Sequence, residues 1–442
     1  MLPVNCGSHA DYQNFVVTNL RKYYPDPNAL ARSTWDIIER FWHLDLSDTN
    51  VLLADKYSKF GPAPRIPSCM QRSYLLSIDF KVSSITEWAA QLKMNPLFAI
   101  LSGFRVDDTP GVGTFYDFMK RLWDSDDPHM SPHIHPLKTK VKKGLIHKDN
   151  LALAGDGTPV VTSHRERKKR ICKCKENGIF DCSCDRYFSQ PDCDIGWDSS
   201  RDCFYHGYDL YMLVDSQSDL PVFSHYSCAS THDPHGFLQA FFRMRSFLPD
   251  YKVSKVLLDS AHDAMPYYQY FKRQNITPFI DLNSKAGKPP VYKNDFTIDK
   301  DGVPVCPAGH RMRRDGIEAA KGRMKFKCPK ISHAGGCISC TCDNPCSNAK
   351  YGRTVHLVLN DNPRLFNNPP RSSKEWKQEY NARTSVERSN KREKLDFKLE
   401  DGRHRSTKMW YCRLYHILML QHLDAWDLPS ESPLRKLILD VA

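Results

Sequence analysis

Apolar residues recur at helical spacing through the first 145 residues. STWDIIERFWHL (33–44) and SITEWAAQLKMNPLFAIL (84–101) place them three and four positions apart, which predicts amphipathic helices. DDTPGVGTFYDFMKRLW (107–123) adds a Pro-Gly turn, Thr114 as an N-cap candidate and a helix with a Phe115–Phe118–Leu122 face. Helices joined by turns suit a helix–turn–helix DNA-binding region or a plain helical bundle, and the pattern alone does not choose between them.

From residue 150 the period changes. LALAGDGTPVV (151–161) is a short apolar run broken by Gly-Asp-Gly, the pattern of a buried strand that delivers Asp156 at its end. YDLYMLVD (208–215) and PVFSHYSCAS (221–230) read as two more strands joined by SQSDLP. DPHGFLQAFFRMRSFL (233–248) is amphipathic, with Asp233 as its N-cap candidate. KVSKVLLDS (252–260) is another buried strand, again closing on an aspartate, Asp259. A helix over 264–273 and the strand TPFIDL (277–282) follow. This order predicts an α/β architecture, a mixed sheet flanked by helices. Residues 162–205 and 284–375, rich in Cys, Gly, Pro and basic residues, interrupt it as insertions. Beyond them come a long polar helix (374–397) and an apolar one (406–426).

Composition narrows the class. Lys+Arg exceed Asp+Glu by 63 to 51, a net charge of +12 that favours a polyanionic partner such as nucleic acid over an acidic one. No apolar run reaches the ~18–20 residues of a membrane span, so no membrane partner is expected. MLPVNCGSHADYQNF lacks the basic-then-apolar pattern of a secretory signal, and a cytoplasmic protein is expected. In that compartment the sixteen cysteines, mostly in two tight clusters, read as metal sites rather than disulfides.

Chemistry concentrates in the polar helix. Tyr380, Arg383, Glu387 and Lys394 fall within an arc of about 60° on one helical face. Alone, that face could be a solvated run of salt bridges. Asp156 and Asp259 change the reading, because a carboxylate at the end of a buried strand needs a metal, a cation or solvent. Three carboxylates from two strands and a helix can hold two Mg²⁺ or Mn²⁺ ions about 4 Å apart, open to phosphate oxygens.

The spacing Tyr380-x2-Arg383-x3-Glu387-x6-Lys394 resembles the helix motif of bacterial insertion-sequence transposases of the DDE type, which share the RNase H-like fold of retroviral integrases. GDGT around Asp156, GYDLYMLVD followed by LPV, the segment through THD (231–233) and VLLDSAHD around Asp259 resemble the catalytic strands of those enzymes. LSGFRVDDTPGVGTFYDFMKRL resembles the helical region before them. The resemblance implies an RNase H-like catalytic domain over 146–442, after a helical N-terminal region (1–145) that could bind DNA. It makes Asp156, Asp259 and Glu387 the catalytic metal ligands. Arg383 and Lys394 would contact phosphates, and Tyr380 would meet DNA or hold the helix to the sheet. The partners implied are the element's terminal inverted repeats and target DNA, with a homodimer in the active complex and association with the bacterial nucleoid. Asp263 reads instead as the N-cap of the helix after Asp259, and His232 carries no assigned role.

The cysteines add a second candidate chemistry. Cys172-x-Cys174 and Cys182-x-Cys184, behind the basic run HRERKKR (164–170), form two pairs, with Cys193 and Cys203 beyond. Cys306 and Cys328 precede Cys337-x2-Cys340-x-Cys342-x3-Cys346. Four close thiolates suit a structural Zn²⁺, a stronger case in the second insertion than in the first. The iron–sulfur alternative lacks its usual spacing. A zinc-containing DNA-binding protein without catalysis, or a nuclease that cuts without joining, are the other functions this sequence allows.

Overall fold

In the computed structural model the chain is described over residues 7–439, apart from 59, 62, 124–143, 163–168, 171, 185, 188–189, 191–192, 284–290, 293–295, 300, 333–338 and 427–432. Helices fill the N-terminal region: α1 (His9–Tyr23), α2 (Arg32–His43), α3 (Ser47–Leu52), α4 (Pro67–Asp79), α5 (Ile85–Met94), α6 (Pro96–Ser102) and α7 (Val112–Leu122). The run 84–101 makes two helices rather than one. Pro96 has no N–H to continue the first, and the Asn95 side chain caps the second by accepting from Leu97 N. Helix α7 starts after Gly111, so Thr114 lies inside it and is not its cap, while Phe115 and Phe118 are buried as expected.

The sheet has six strands. β1 (Leu151–Val161) pairs antiparallel with β3 (Cys203–Asp215). Along its other edge, β3 pairs first with β2 (Asp194–Asp198) and then with β4 (Leu220–Cys228). Helix α8 (Asp233–Phe247) leads to β5 (Val253–Leu258), parallel to β1, and α9 (Met265–Arg273) leads to β6 (Thr277–Ile280), parallel to β5. Four antiparallel strands thus continue into two parallel ones. The fold is mixed α/β with a helical N-terminal region, as expected. Residues 194–205, assigned to the first insertion from sequence, are part of this sheet. Their apolar signal is inverted: Ile195 and Trp197 face solvent, and Gly196 packs so closely on Ala229 that a Cβ would lie 2.3 Å from its carbonyl oxygen.

Both faces of the sheet are covered. Leu153, Tyr211, Leu213, Val256 and Leu258 pack with Phe237 and Phe241 of α8 and Phe271 of α9. Ala152, Ala154, Leu210, Met212 and Leu257 face a larger core shared with the N-terminal helices. Between the two lies α12 (Thr407–Asp424), buried on every side from Trp410 to Leu423. Its Tyr411 hydroxyl accepts from Tyr226 N at 2.9 Å, and His422 Nε2 donates to Pro221 O at 2.7 Å, both on β4. The polar helix is interrupted. α10 (Lys374–Asn381) and α11 (Thr384–Lys391) meet at a tight turn, and a wider π-type turn (Arg392–Asp396) follows. A short α13 (Pro433–Leu439) packs on α1.

The second insertion has a core of its own. β7 (Arg313–Glu318), β8 (Arg323–Lys327) and β9 (Thr354–Val358) form an antiparallel sheet. Met324, Phe326, Val355 and Leu357 bury one face with Ile298 and Phe366. The cations that interleave those apolar residues obscure the alternation in sequence, and they are paired: Lys325 and Lys327 with Asp315 at 2.9 and 2.5 Å, Arg323 with Glu318 at 2.7 Å. Arg371 ties this module to the sheet, donating to Ile280 O at 3.0 Å and to the Tyr268 hydroxyl at 2.8 Å.

Candidate functional site

Asp156 does not end its strand, which runs on to Val161; it lies opposite Met212 in the antiparallel ladder. The parallel ladder to β5 does stop, at Ala154–Leu257. Asp156 therefore stands where β1 outruns its parallel neighbour, at the mouth of a crevice beyond the carboxyl ends of two parallel strands. Asp259 follows β5 directly and caps a short 3₁₀ turn, accepting from Ala261 N at 3.1 Å. His262, fully buried, lies 2.7 Å from Asp259 Oδ1 through Nδ1 and 2.9 Å from the Tyr211 hydroxyl through Nε2. A carboxylate only accepts, so Nδ1–H donates to Asp259, while Nε2 meets the Tyr211 hydroxyl. This relay fixes the direction of the Asp259 carboxylate.

A third carboxylate joins them. Oxygens of Asp156, Asp233 and Asp259 all lie within 4.8 Å of one another. Asp233 is not the N-cap of α8; His232 is, without a side-chain bond, and Asp233 is the first helical residue. Gly157 makes room for it, since a Cβ there would sit 2.4 Å from Asp233 Oδ1 and 3.1 Å from Asp209 Oδ1. Asp209 is 6% exposed and its Oδ2 has no hydrogen-bond partner.

Crowded acids in a half-buried crevice resist ionisation. Burial pushes Asp156 up to about 7; Arg383 opposes this, and the charges of Asp259, Asp233 and Glu387 add to it. Asp209 and Asp233 are also raised, by burial first and then by their acidic neighbours, though the nearby His262 and His232 ease Asp233. Asp259 differs. Burial would raise it, but the His262 hydrogen bond and charge, the Ala261 N–H and Arg383 hold it below the ordinary range. Hard carboxylate oxygens, an orphaned buried Oδ2 and a glycine cradle match what a Mg²⁺ or Mn²⁺ site requires.

The polar helix supplies the rest unequally. Arg383, at the turn before α11, reaches Glu387 Oε1 at 2.5 Å and Asp156 Oδ2 at 4.0 Å. Glu387 stays 49% exposed, close enough to act on Asp156 but outside the compact acid group. Tyr380 stacks on Trp376 with ring centroids 4.6 Å apart, and Trp376 in turn meets Phe279 of β6 at 6.2 Å. Lys394 turns to the carbonyl of Pro159 on β1 and to Glu400 at 3.6 Å, and its charge acts on Asp209 rather than joining the Asp156, Asp233 and Asp259 group. The interruptions explain this: four residues on one ideal helical face are split between two helices and a π-type turn.

Asp263 is not a helix cap either. Buried, it accepts from Tyr268 Oη at 2.9 Å and Asn283 N at 2.8 Å and pairs with Arg364 at 2.7 Å, while Ala264 precedes α9. The sequence reading passed over Asp209, Tyr211 and His262. Only His262 left a trace, three residues after Asp259, where a turn brings it back to that carboxylate.

The sulfurs of Cys172, Cys174, Cys182 and Cys184 lie within 4.8 Å of one another, with Cys172–Cys182 at 3.5 Å and Cys174–Cys184 at 3.6 Å. A tetrahedral site with Zn–S of about 2.3 Å would set sulfurs about 3.8 Å apart, so the first insertion can hold such an ion. In the second, Cys306 and Cys328 are buried, and burial followed by Cys306 and Cys328 raises the Cys346 thiol; Cys342 is half-buried. Cys337 and the side chain of Cys340 lie outside the described residues, as does most of HRERKKR.

No helix among the described residues is long and apolar enough to cross a membrane. No curated protein matches the chain. A family model described as the transposase DDE domain matches residues 149–421, from the first residues before β1 to the last turn of α12. That span is more than half of the chain and contains every carboxylate of the crevice, and on this ground the protein belongs to the DDE transposase family.

Proposed function

We propose that this protein is an insertion-sequence transposase with an RNase H-like catalytic domain that cleaves the terminal inverted repeats of its element and joins the strands to target DNA. The observation that carries the reading is the meeting of Asp156, within β1, and Asp259, at the end of β5, inside the family match. Two Mg²⁺ or Mn²⁺ ions bound by Asp156, Asp259 and Glu387 would supply activation of a water or 3′-hydroxyl and stabilisation of the leaving oxygen. His262 and Tyr211 orient Asp259 for that role. Arg383 stands between Asp156 and Glu387, where a cation can meet the scissile phosphate and free Glu387 to turn inward. Lys394 and Tyr380 sit on the same segment, Lys394 to grip the DNA backbone and Tyr380 to hold the helix against the sheet and contact DNA at its edge.

The surplus of Lys+Arg, 63 against 51, supports DNA as partner, and two DNA ends imply a homodimer in the active complex. The four thiols of the first insertion hold a structural Zn²⁺ in this reading, and the cytoplasm and nucleoid are the place of action. The test is Mg²⁺-dependent nicking and joining of labelled DNA carrying the element's ends, comparing wild type with Asp156→Asn and Glu387→Gln. Metal-dependent nicking lost in both supports the proposal. Nicking without joining makes the protein a nuclease, and binding without cleavage makes it a DNA-binding protein only.

A further inference from the structure

The compact acid group does not contain the acid that the motif nominates. Glu387 is paired with Arg383 at 2.5 Å, and the third oxygen within 4.8 Å of Asp156 and Asp259 belongs to Asp233. We propose that Asp233 is a metal-binding carboxylate of this site, holding a divalent cation with Asp156 and Asp259 before DNA is engaged, while Glu387 waits on Arg383. The inference rests on the metal-dependent reading above.

Several features of the molecule fit this role. Asp233 opens α8 yet caps nothing, and among the described residues its carboxylate makes no hydrogen bond or ion pair. The helix N-terminus favours a negative charge there only modestly, too little to offset two further carboxylates within 4.8 Å. Room for it has been kept: any side chain at residue 157 would collide with its Oδ1, 2.4 Å from an ideal Cβ. Behind it, across the same glycine, Asp209 is 6% exposed with Oδ2 unpartnered. Buried acids stacked together are costly; Lys394 acts on Asp209, yet its Oδ2 is left without a hydrogen bond. Mg²⁺ accepts few carboxylates and keeps its remaining positions for water and phosphate oxygens, which three acids on one side of an open crevice allow.

The experiment is calorimetric titration of Mn²⁺ into the metal-free full chain without DNA, comparing wild type, Asp156→Asn, Asp233→Asn and Glu387→Gln. Asp233→Asn should weaken binding at least tenfold, as Asp156→Asn does, while Glu387→Gln stays within about twofold of wild type. Unfolding in EDTA controls for structure: a ligand in a repulsive cluster leaves Asp233→Asn at least as stable as wild type, whereas a structural acid would lower its midpoint. Asp233→Ser replaces it should the amide variant fail to fold. Wild-type affinity in Asp233→Asn, with binding lost in Asp156→Asn, overturns the role of Asp233 and leaves the metal site standing. Absence of Mn²⁺ binding by wild type without DNA overturns the pre-loading. Binding that neither aspartate affects overturns the metal-dependent reading as well.

Discussion

Asp156→Asn should make the metal-free protein more stable. Burial and three neighbouring acids raise this carboxyl from 3.8 to about 7 in the folded chain, against an ordinary value when unfolded. The sign follows from proton uptake. Below about pH 4 both states are protonated and the substitution is close to neutral. Between about 4 and 7 the folded state binds the extra proton, so wild-type stability falls as pH rises, and above 7 the loss is complete. Three units at about 1.36 kcal/mol each set a ceiling of about 4 kcal/mol. The side chain is 24% exposed, and water there screens part of the repulsion, so a gain of about 1–3 kcal/mol at pH 8 is expected. Urea unfolding in EDTA, followed by tryptophan fluorescence at pH 5, 6, 7 and 8, measures it. The gap between variant and wild type should open across that range. Saturating Mg²⁺ should then close or reverse it, by stabilising wild type alone. A variant less stable than wild type at pH 8 in EDTA, or a gap indifferent to pH, would refute the electrostatic account of this crevice.

Other outcomes follow from the same geometry. His262→Phe removes the link between Tyr211 and Asp259 and should weaken Mn²⁺ binding by about 10–100-fold in calorimetry while the fold persists; unchanged affinity would mean that Asp259 needs no support. Gly157→Ala drives a methyl group into Asp233 Oδ1 and should cut metal affinity and DNA nicking together by at least tenfold. If it nicks like wild type, the cradle is not occupied as described. Treating the protein with a strong chelator should release one zinc from Cys172, Cys174, Cys182 and Cys184 and open that insertion to protease, with no zinc found in Cys172→Ser/Cys182→Ser. Glu393 is fully buried, and burial raises it to about 8 against the hydrogen bonds of Gln421 and Ser389. Glu393→Gln should therefore match wild type in urea only below about pH 4.5, draw ahead of it as pH rises, and show the full gain above about 8, the reverse of what a buried salt bridge would give.

Periodicity in the chain reveals the elements whose burial is continuous. Residues 208–215, 221–228 and 253–258 are apolar on both faces because helices cover both faces of the sheet, and such runs stand out in sequence. β2 was missed because Ile195 and Trp197 point to solvent while a glycine meets the core. Asp156 and Asp259 were legible because apolar strands frame them. Asp233 was not, since an aspartate that opens a helix looks identical whether it caps the backbone or turns toward a crevice. Nor could spacing show that Lys394 faces Pro159, for that depends on a break at Arg383 and a widened turn after Lys391. The four-thiol group was legible as two C-x-C pairs, and a loop brings the pairs face to face.

The core that α12 shares with the N-terminal helices bears on how such a gene can be shortened. Ile38, Leu75, Trp88 and Phe115 belong to the same buried cluster as Leu418 and as Leu210 and Met212 of the sheet. A fragment beginning near residue 146 would keep every acid yet lay bare the side of α12 that contacts α4. The N-terminal third therefore acts as the missing half of the catalytic sheet's packing. Deletion derivatives that start downstream of it should yield insoluble polypeptide.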